Sequence, residues 1–590
     1  MQVLINCEKN VEAVKYGFFS MGDILGLDIE FVDQISTNAP FPVLIYYGEA
    51  IPEEIVGKPF EIAFHILPSE RSNIIAPALS WGDDRITSIP FAFGTGLTSI
   101  DPGRMVNKSP SSVFAGWVDQ RTLRCSIDFP LSVSYFLSLE HERDQRTDEL
   151  GRPIGPESWI YNKGFSNVPM VDRLVAAFWM LCCCAYARGK ALLVRKIPWP
   201  NHRKFCMPVS HDIDLVQKWT INAVIKEGIS ILTDKQKRHL KYATQTLRSV
   251  ASSHRDRKKD PYWNFNQIIS LEKKYDISST FYFLTYRKHH RINNQKMVGN
   301  YGRRHKDVCS IMKEIYREGC EIGLHGSIDG FKDGNILEAD RNQIEGCFNG
   351  ACNGIRQHFL LLDKNRTPSE QLKAGFQYDS TLGYRDICGY RCGTGFPYSW
   401  FNLFTDGNDN FLEVPLIVMD SSLVLERKGD FNGCYEQLFD LLRQALNQES
   451  CMTLLWHNTS FSDPSYPWLR QLFEDALSFA HKNDGWVTNI SSLCQWWLQR
   501  RKIKLQVIQS NRMSYINIID PPSDYIFGLD VFVPEGLPYE FRNLNNFEIE
   551  KTGEIEMFKN HSGYRGKICR LYVHPGQKGL QPARKHPNPS

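Results

Sequence analysis

The chain is predicted to be an α/β protein whose central region, residues 205–500, forms a βα barrel or an open α/β sheet. Two observations carry this. Short apolar segments at 205–210, 279–284, 320–324, 354–356, 412–418 and 452–456 alternate with longer stretches of helical pattern. Chemistry-bearing side chains also follow the apolar segments closely: Asp212 and Asp214, then His325, then Arg356 and His358, then His457. In α/β barrels the C-terminal ends of the strands form the active-site face, and the opposite ends serve stability.

Asp212 and Asp214 are spaced i, i+2, so in an extended strand they share a face. Paired carboxylates at a strand end suit chemistry, because one can hold a metal while its neighbour takes a proton. Between 215 and 260 lies a long insertion of helical pattern, and its basic run at 254–260 reads as a solvated connection.

On either side of this region the pattern changes. Residues 1–200 mix helical and strand-like stretches: a helix at 11–25 with Gly26 to stop it, strands at 41–48 and 60–67, and helices at 131–139 and 171–187. His141 and Glu142 read as surface residues. Residues 501–574 show short strands at 503–507, 513–519, 525–533, 554–558 and 567–573, a small β-rich module, and 575–590 reads as a disordered tail. The expected domains are therefore 1–200, 201–500 and 501–574, followed by that tail.

Composition excludes several classes. With 69 basic and 66 acidic residues, the 590-residue chain carries a formal charge of +3, which gives no footprint for nucleic acid. The most apolar stretch, 174–187, is shorter than the roughly 20 residues that span a bilayer, so a buried helix is expected rather than a transmembrane segment. Met1 to Glu8 shows no basic region leading into an apolar core. The sixteen cysteines are dilute, and Cys182, Cys183 and Cys184 are consecutive within an apolar run. Reduced cysteines and a cytoplasmic location are the expectation.

The motif order resembles the polysaccharide deacetylase superfamily, which includes chitin and peptidoglycan N-deacetylases. The stretches that carry the resemblance are Ser210-His211-Asp212-Ile213-Asp214, Glu321-Ile322-Gly323-Leu324-His325-Gly326-Ser327, Ile355-Arg356-Gln357-His358-Phe359, Phe376-Gln377-Tyr378-Asp379-Ser380-Thr381-Leu382-Gly383-Tyr384, Gly389-Tyr390-Arg391-Cys392-Gly393-Thr394 and Leu454-Leu455-Trp456-His457-Asn458-Thr459. Tyr46-Tyr47-Gly48-Glu49 and the stretch from Gly164 to Asp172 are similar to the extra N-terminal domain of a bacterial subgroup encoded with surface-polysaccharide genes.

The resemblance implies a distorted (β/α) barrel of about seven strands with metal-assisted hydrolysis at its mouth. It implies Asp212 as general base, Asp214 and His325 as metal ligands, Arg356 as the partner of Asp212, a backbone N–H near Phe359 for the oxyanion, and His457 as general acid. Zn²⁺ is the implied cofactor, with Co²⁺ or Mn²⁺ as substitutes. The family's second metal histidine, four residues after the first, is absent: Asp329 stands there, so Asp329 or His358 completes the site, or the metal site is weak or lost. Tyr384, Tyr398 and Trp400 are candidate sugar-stacking residues near the mouth.

The expected function is a metal-dependent hydrolase that removes an acyl group, an N-acetyl group first of all, from a carbohydrate in nucleotide- or lipid-linked form. A catalytically degraded barrel that binds or scaffolds glycans is the alternative. A glycosidase ranks below both, since its carboxylates flank the scissile bond, usually from different strands, whereas Asp212 and Asp214 lie two apart on one strand, about 7 Å apart at Cα. The oligomeric state is not legible.

Overall fold

The computed structural model describes residues 1–33, 41–50, 60–68, 115–117, 119–233, 240–285, 301, 305–509, 514–537, 549–557 and 566–574. The tail expected at 575–590 lies outside the described residues. The chain divides into two compact units: 1–133, 174–203 and 496–590 form one, and 134–173 with 204–495 form the other. This division cuts across the contiguous boundaries expected from the sequence.

The second unit is built on a ten-stranded sheet. Its strands are β1 (Phe205–Ile213), β2 (Thr280–Phe283), β3 (Glu321–Gly326), β4 (Gly354–Gln357), β5 (Tyr378–Asp379), β6 (Tyr398–Ser399), β7 (Leu412–Glu413), β8 (Leu416–Met419), β9 (Thr453–Leu455) and β10 (Gly485–Thr488). They run in the order β6-β7-β5-β4-β3-β2-β1-β9-β8, with β10 alongside the first half of β1. No ladder among the described residues joins β6 to β8, so the sheet is open on that side, where a distorted barrel of about seven strands was expected. Five of the six segments read as strands from the sequence are single strands here, and the sixth, 412–418, divides into β7 and β8, which pair with β5 and β9. The short β5 and β6, at two residues each, carry too little pattern to be read.

β1 is buried at all nine positions, as its near-continuous apolar run requires of a parallel strand covered on both faces. Every pairing in this sheet is parallel except β6 with β7, so the functional strands end on one side. Register does the rest. Asp212 lies opposite Tyr282 on β2, and His325 on β3 lies opposite Arg356 on β4.

Residues 134–173 pack within this unit, and here one expectation is corrected. His141 and Glu142 are not surface residues. Glu142 accepts two hydrogen bonds from Arg391, from Nε and Nη2 at 2.8 Å each, and His141 Nε2 donates to the Arg391 carbonyl at 3.0 Å. Asp172, also buried, accepts from the hydroxyls of Thr394 and Ser450. Burial lifts its carboxyl to about 7 against those hydrogen bonds. Because the Glu142 and Arg391 side chains are only 8% and 5% exposed, Glu142→Ala strands a guanidinium away from water and is expected to cost about 3–5 kcal/mol. Urea unfolding of the full chain checks this; a loss below about 1 kcal/mol would show the pair to be solvated.

In the first unit a six-stranded sheet has the order Glu30–Phe31, Gln2–Asn6, Phe41–Gly48, Phe60–Ile66, Thr122–Cys125, Ala115–Trp117. The helix Val11–Leu25 ends at Gly26, whose φ of 72° is the left-handed stop its sequence predicts. The helix Met170–Arg188 is the one described helix long and apolar enough to cross a membrane, and 89% of its apolar window is buried. It matches the expected buried helix.

The late strands do not stand alone. Ile549–Met557, Gly566–Val573 and Phe527–Pro534 form a four-stranded antiparallel sheet with Leu193–Lys196, which the sequence had placed in a different domain. Asp530 locks that join by accepting from both Arg195 and Arg570.

Candidate active site

At the C-terminal end of β1 the side chains alternate as a strand requires. Arg356 Nη1 donates to both Ser210 Oγ (2.7 Å) and Asp212 Oδ1 (3.0 Å), which fixes the i, i+2 pair on one face. The same guanidinium donates through Nε to the Ser380 carbonyl (2.8 Å) and through Nη2 to Ser380 Oγ (2.9 Å), and lies over the Tyr282 ring. Only a planar, five-donor group can make all these bonds at once, so a lysine cannot replace it. Arg356 is fully buried and Asp212 is 2% exposed, so the carboxylate is held in one orientation beside a permanent charge.

Asp214, two residues on, meets two histidines. His325 Nδ1 donates to the Arg356 carbonyl at 2.9 Å, which leaves Nε2 as a lone-pair donor facing Asp214 Oδ1 at 3.3 Å. His358 Nδ1 lies 2.9 Å from His325 Nε2 and 3.6 Å from Asp214 Oδ1. These three separations suit a tetrahedral Zn²⁺, whose ligands at about 2.0–2.1 Å stand about 3.3 Å apart. Asp214 Oδ1 is buried with no hydrogen-bond partner among the described residues, as expected of an oxygen that faces a cation. The residues therefore fit a divalent ion. Burial, first of all, lowers the His358 imidazole to about 4, so it is neutral and able to coordinate.

The sequence left Asp329 and His358 as rival ligands, and the structure gathers His358. Asp329 is not among the clustered donors. Residues four apart share a face in a helix, but β3 ends at Gly326 and the chain then closes a turn from Ser327 to Gly330. That turn, together with the in-register β3–β4 pair, explains the choice.

His457 follows β9. Its backbone N–H donates to Asp420 Oδ2 (2.8 Å), and its Nδ1 donates to Asp420 Oδ1 (2.6 Å). Ser460 Oγ donates to the same carboxylate at 2.5 Å. His457 Nε2 is thereby aimed inward, 3.8 Å from Asp214 Oδ2. Burial alone would lower the imidazole, but Asp420 overrides it by charge and hydrogen bond and raises the group to about 10. Asp420 was missed from the sequence. A signal was present, since the apolar run of β8 ends in Asp420 as β1 ends in its own carboxylates.

Phe359, the expected oxyanion position, sits beside His358 with ring centroids 4.0 Å apart. It and Leu360 both have left-handed backbones, with φ of 60° and 55°. Two consecutive non-glycine residues there are strained, a feature that concentrates at functional sites. Arg152 holds the turn by donating to the Phe359 carbonyl at 3.0 Å.

The sugar-stacking expectation is corrected. Tyr384, Tyr398 and Trp400 are all buried, at 3%, 2% and 1% exposure, and cannot offer a face to a ligand. Tyr384 packs on Arg391, and Tyr398 packs on Trp400. Phe359, beside His358, is 37% exposed.

No protein-family model and no curated protein matches the chain. Among solved structures, it is similar to a protein of Mycobacterium smegmatis described as a polysaccharide deacetylase, at 14% identity and a TM-score of 0.32, over 54% of this chain and 98% of that one. A Pseudomonas aeruginosa protein of the same description gives 13% identity and a TM-score of 0.31, over 51% and 93%. A Bacillus anthracis pseudoenzyme of the CE4 family gives 11% and 0.24, over 50% and 69%. Two of these three carry the description polysaccharide deacetylase.

Proposed function

We propose that the chain is a metal-dependent deacylase that removes an N-acetyl group from a sugar, in nucleotide- or lipid-linked form, in the cytoplasm. One observation carries this reading. A three-donor cluster of Asp214, His325 and His358 is flanked by a fixed carboxylate, Asp212, and by a histidine raised to about 10, His457. A divalent cation held by that cluster, Zn²⁺ first of all, would polarise the acyl carbonyl and acidify a water.

The chain's own residues then supply the proton transfers. Asp212, oriented by Arg356, takes the proton of the attacking water. His457, protonated at neutral pH, gives one to the departing amine, which is otherwise a poor leaving group. The backbone N–H near Phe359 would share the developing negative charge. Separate carriers for base and acid suit hydrolysis of an amide, where both ends of the scissile bond need help.

The test is acetate release from N-acetylhexosamine donors by the metal-loaded protein, compared with the chelated protein. The reading expects release that is lost on chelation and restored by Zn²⁺, Co²⁺ or Mn²⁺. A protein that binds the cation and the glycan but releases no acetate would instead be the non-catalytic glycan-binding barrel.

A further inference from the structure

Outside the site just described, a second set of soft donors meets between two helices. The helix His305–Arg317 buries Val308, Ile311, Met312 and Ile315. His305 and Cys309, four apart, lie on one face of it. Cys347 comes from the last turn of the helix Gly334–Phe348, which is N-capped by Asp333. The structure joins Cys309 to Cys347 in a disulfide with Cα atoms 4.6 Å apart, and this corrects the expectation that all cysteines are reduced. The other fourteen cysteines are free.

A bridge alone would need no imidazole, yet His305 Nε2 lies 3.6 Å from Cys309 Sγ and 4.0 Å from Cys347 Sγ. A tetrahedral ion with Zn–S of about 2.3 Å and Zn–N of about 2.1 Å sets nitrogen and sulfur about 3.6 Å apart. Thiolate and imidazole donors select soft ions, Zn²⁺ or Cu⁺, over Mg²⁺ or Ca²⁺.

We propose that His305, Cys309 and Cys347 form a second cation site, which takes Zn²⁺ when the cysteines are reduced and loses it when they are joined. The exchange balances. A small dithiol supplies two electrons to the Cys309–Cys347 bond and leaves as its own disulfide; Zn²⁺ then displaces the two thiol protons and binds both sulfurs. The two forms share one location, so cation and disulfide exclude each other. The two helices precede and follow β3, so either form ties the chain together around the strand that bears His325, across a separation of 38 residues. This inference stands on its own donors and not on the proposed deacylase activity.

The test uses the full chain, reduced with a phosphine, stripped of metal and titrated with Co²⁺. Thiolate ligation gives a near-ultraviolet charge-transfer band that the sulfur-free Asp214 cluster cannot give. The band is expected in the reduced chain, and it should be absent after reoxidation to the disulfide and in the Cys309→Ser/Cys347→Ser variant, which should bind one cation fewer. His305→Ala is expected to weaken the band-forming site at least tenfold. Asp214→Asn should keep the band, which separates this site from the other. Absence of the band in the reduced, folded chain, its survival in the double serine variant, or failure of the bond to reduce without unfolding, read by thiol alkylation and mass spectrometry, would each overturn the proposal.

Discussion

Asp212→Asn is expected to lower kcat for deacylation by about a hundred- to ten-thousand-fold while leaving cation binding unchanged, because it removes a proton acceptor and no ligand. The amide oxygen can still accept from Arg356 Nη1, so orientation survives while basicity is lost. The contrast with Asp214→Asn sharpens the prediction. That change strips the cluster of its one anionic donor, so cation and activity should disappear together. Titration of bound metal beside steady-state kinetics separates the two. An Asp212→Asn enzyme within tenfold of the parent would remove Asp212 from the role of base.

Asp420→Asn is expected to move the alkaline limb of the activity profile towards lower pH and to reduce kcat at neutral pH by a comparable factor. His457 must be protonated to act as an acid. In the folded chain burial lowers its pKa, but the Asp420 carboxylate overrides that and raises it to about 10, against an ordinary value of about 6.5. Losing the carboxylate lets the imidazole deprotonate earlier and also frees it from its aim. Linkage adds a second signature. A histidine raised on folding contributes stability that is fully present below about pH 6.5 and is lost as pH climbs through about 10. The parent should therefore weaken over that window, and the Asp420→Asn variant should lose that part of the slope. A pH–rate profile and urea melts at several pH values read both; an unmoved alkaline limb would take His457 out of the acid's place.

Much of the central sheet was legible because parallel, fully buried strands write themselves as unbroken apolar runs. β1 is the clearest case, and the polar residues at the strand ends followed from it. Asp212, Asp214, His325, His358 and His457 were all visible as side chains at or just past such runs. Asp420 escaped because a single carboxylate after an apolar segment looks like a helix cap until His457 is seen beside it. The choice of His358 over Asp329 depended on register and on the turn after Gly326, and neither is encoded in local pattern. Tyr384, Tyr398 and Trp400 misled for a related reason. Aromatic residues near a mouth are as readily core as platform, and here they pack inward. Distant partners are not legible locally: nothing at Leu193–Lys196 announces that its sheet is completed by strands more than 300 residues later.

The most direct test of the metal centre is anomalous diffraction at the zinc edge from crystals of the Zn²⁺-loaded chain. The account predicts a peak within about 2.0–2.1 Å of Asp214 Oδ1, His325 Nε2 and His358 Nδ1. A peak ligated by Asp329 in place of His358, or no peak at the end of β1, would contradict it.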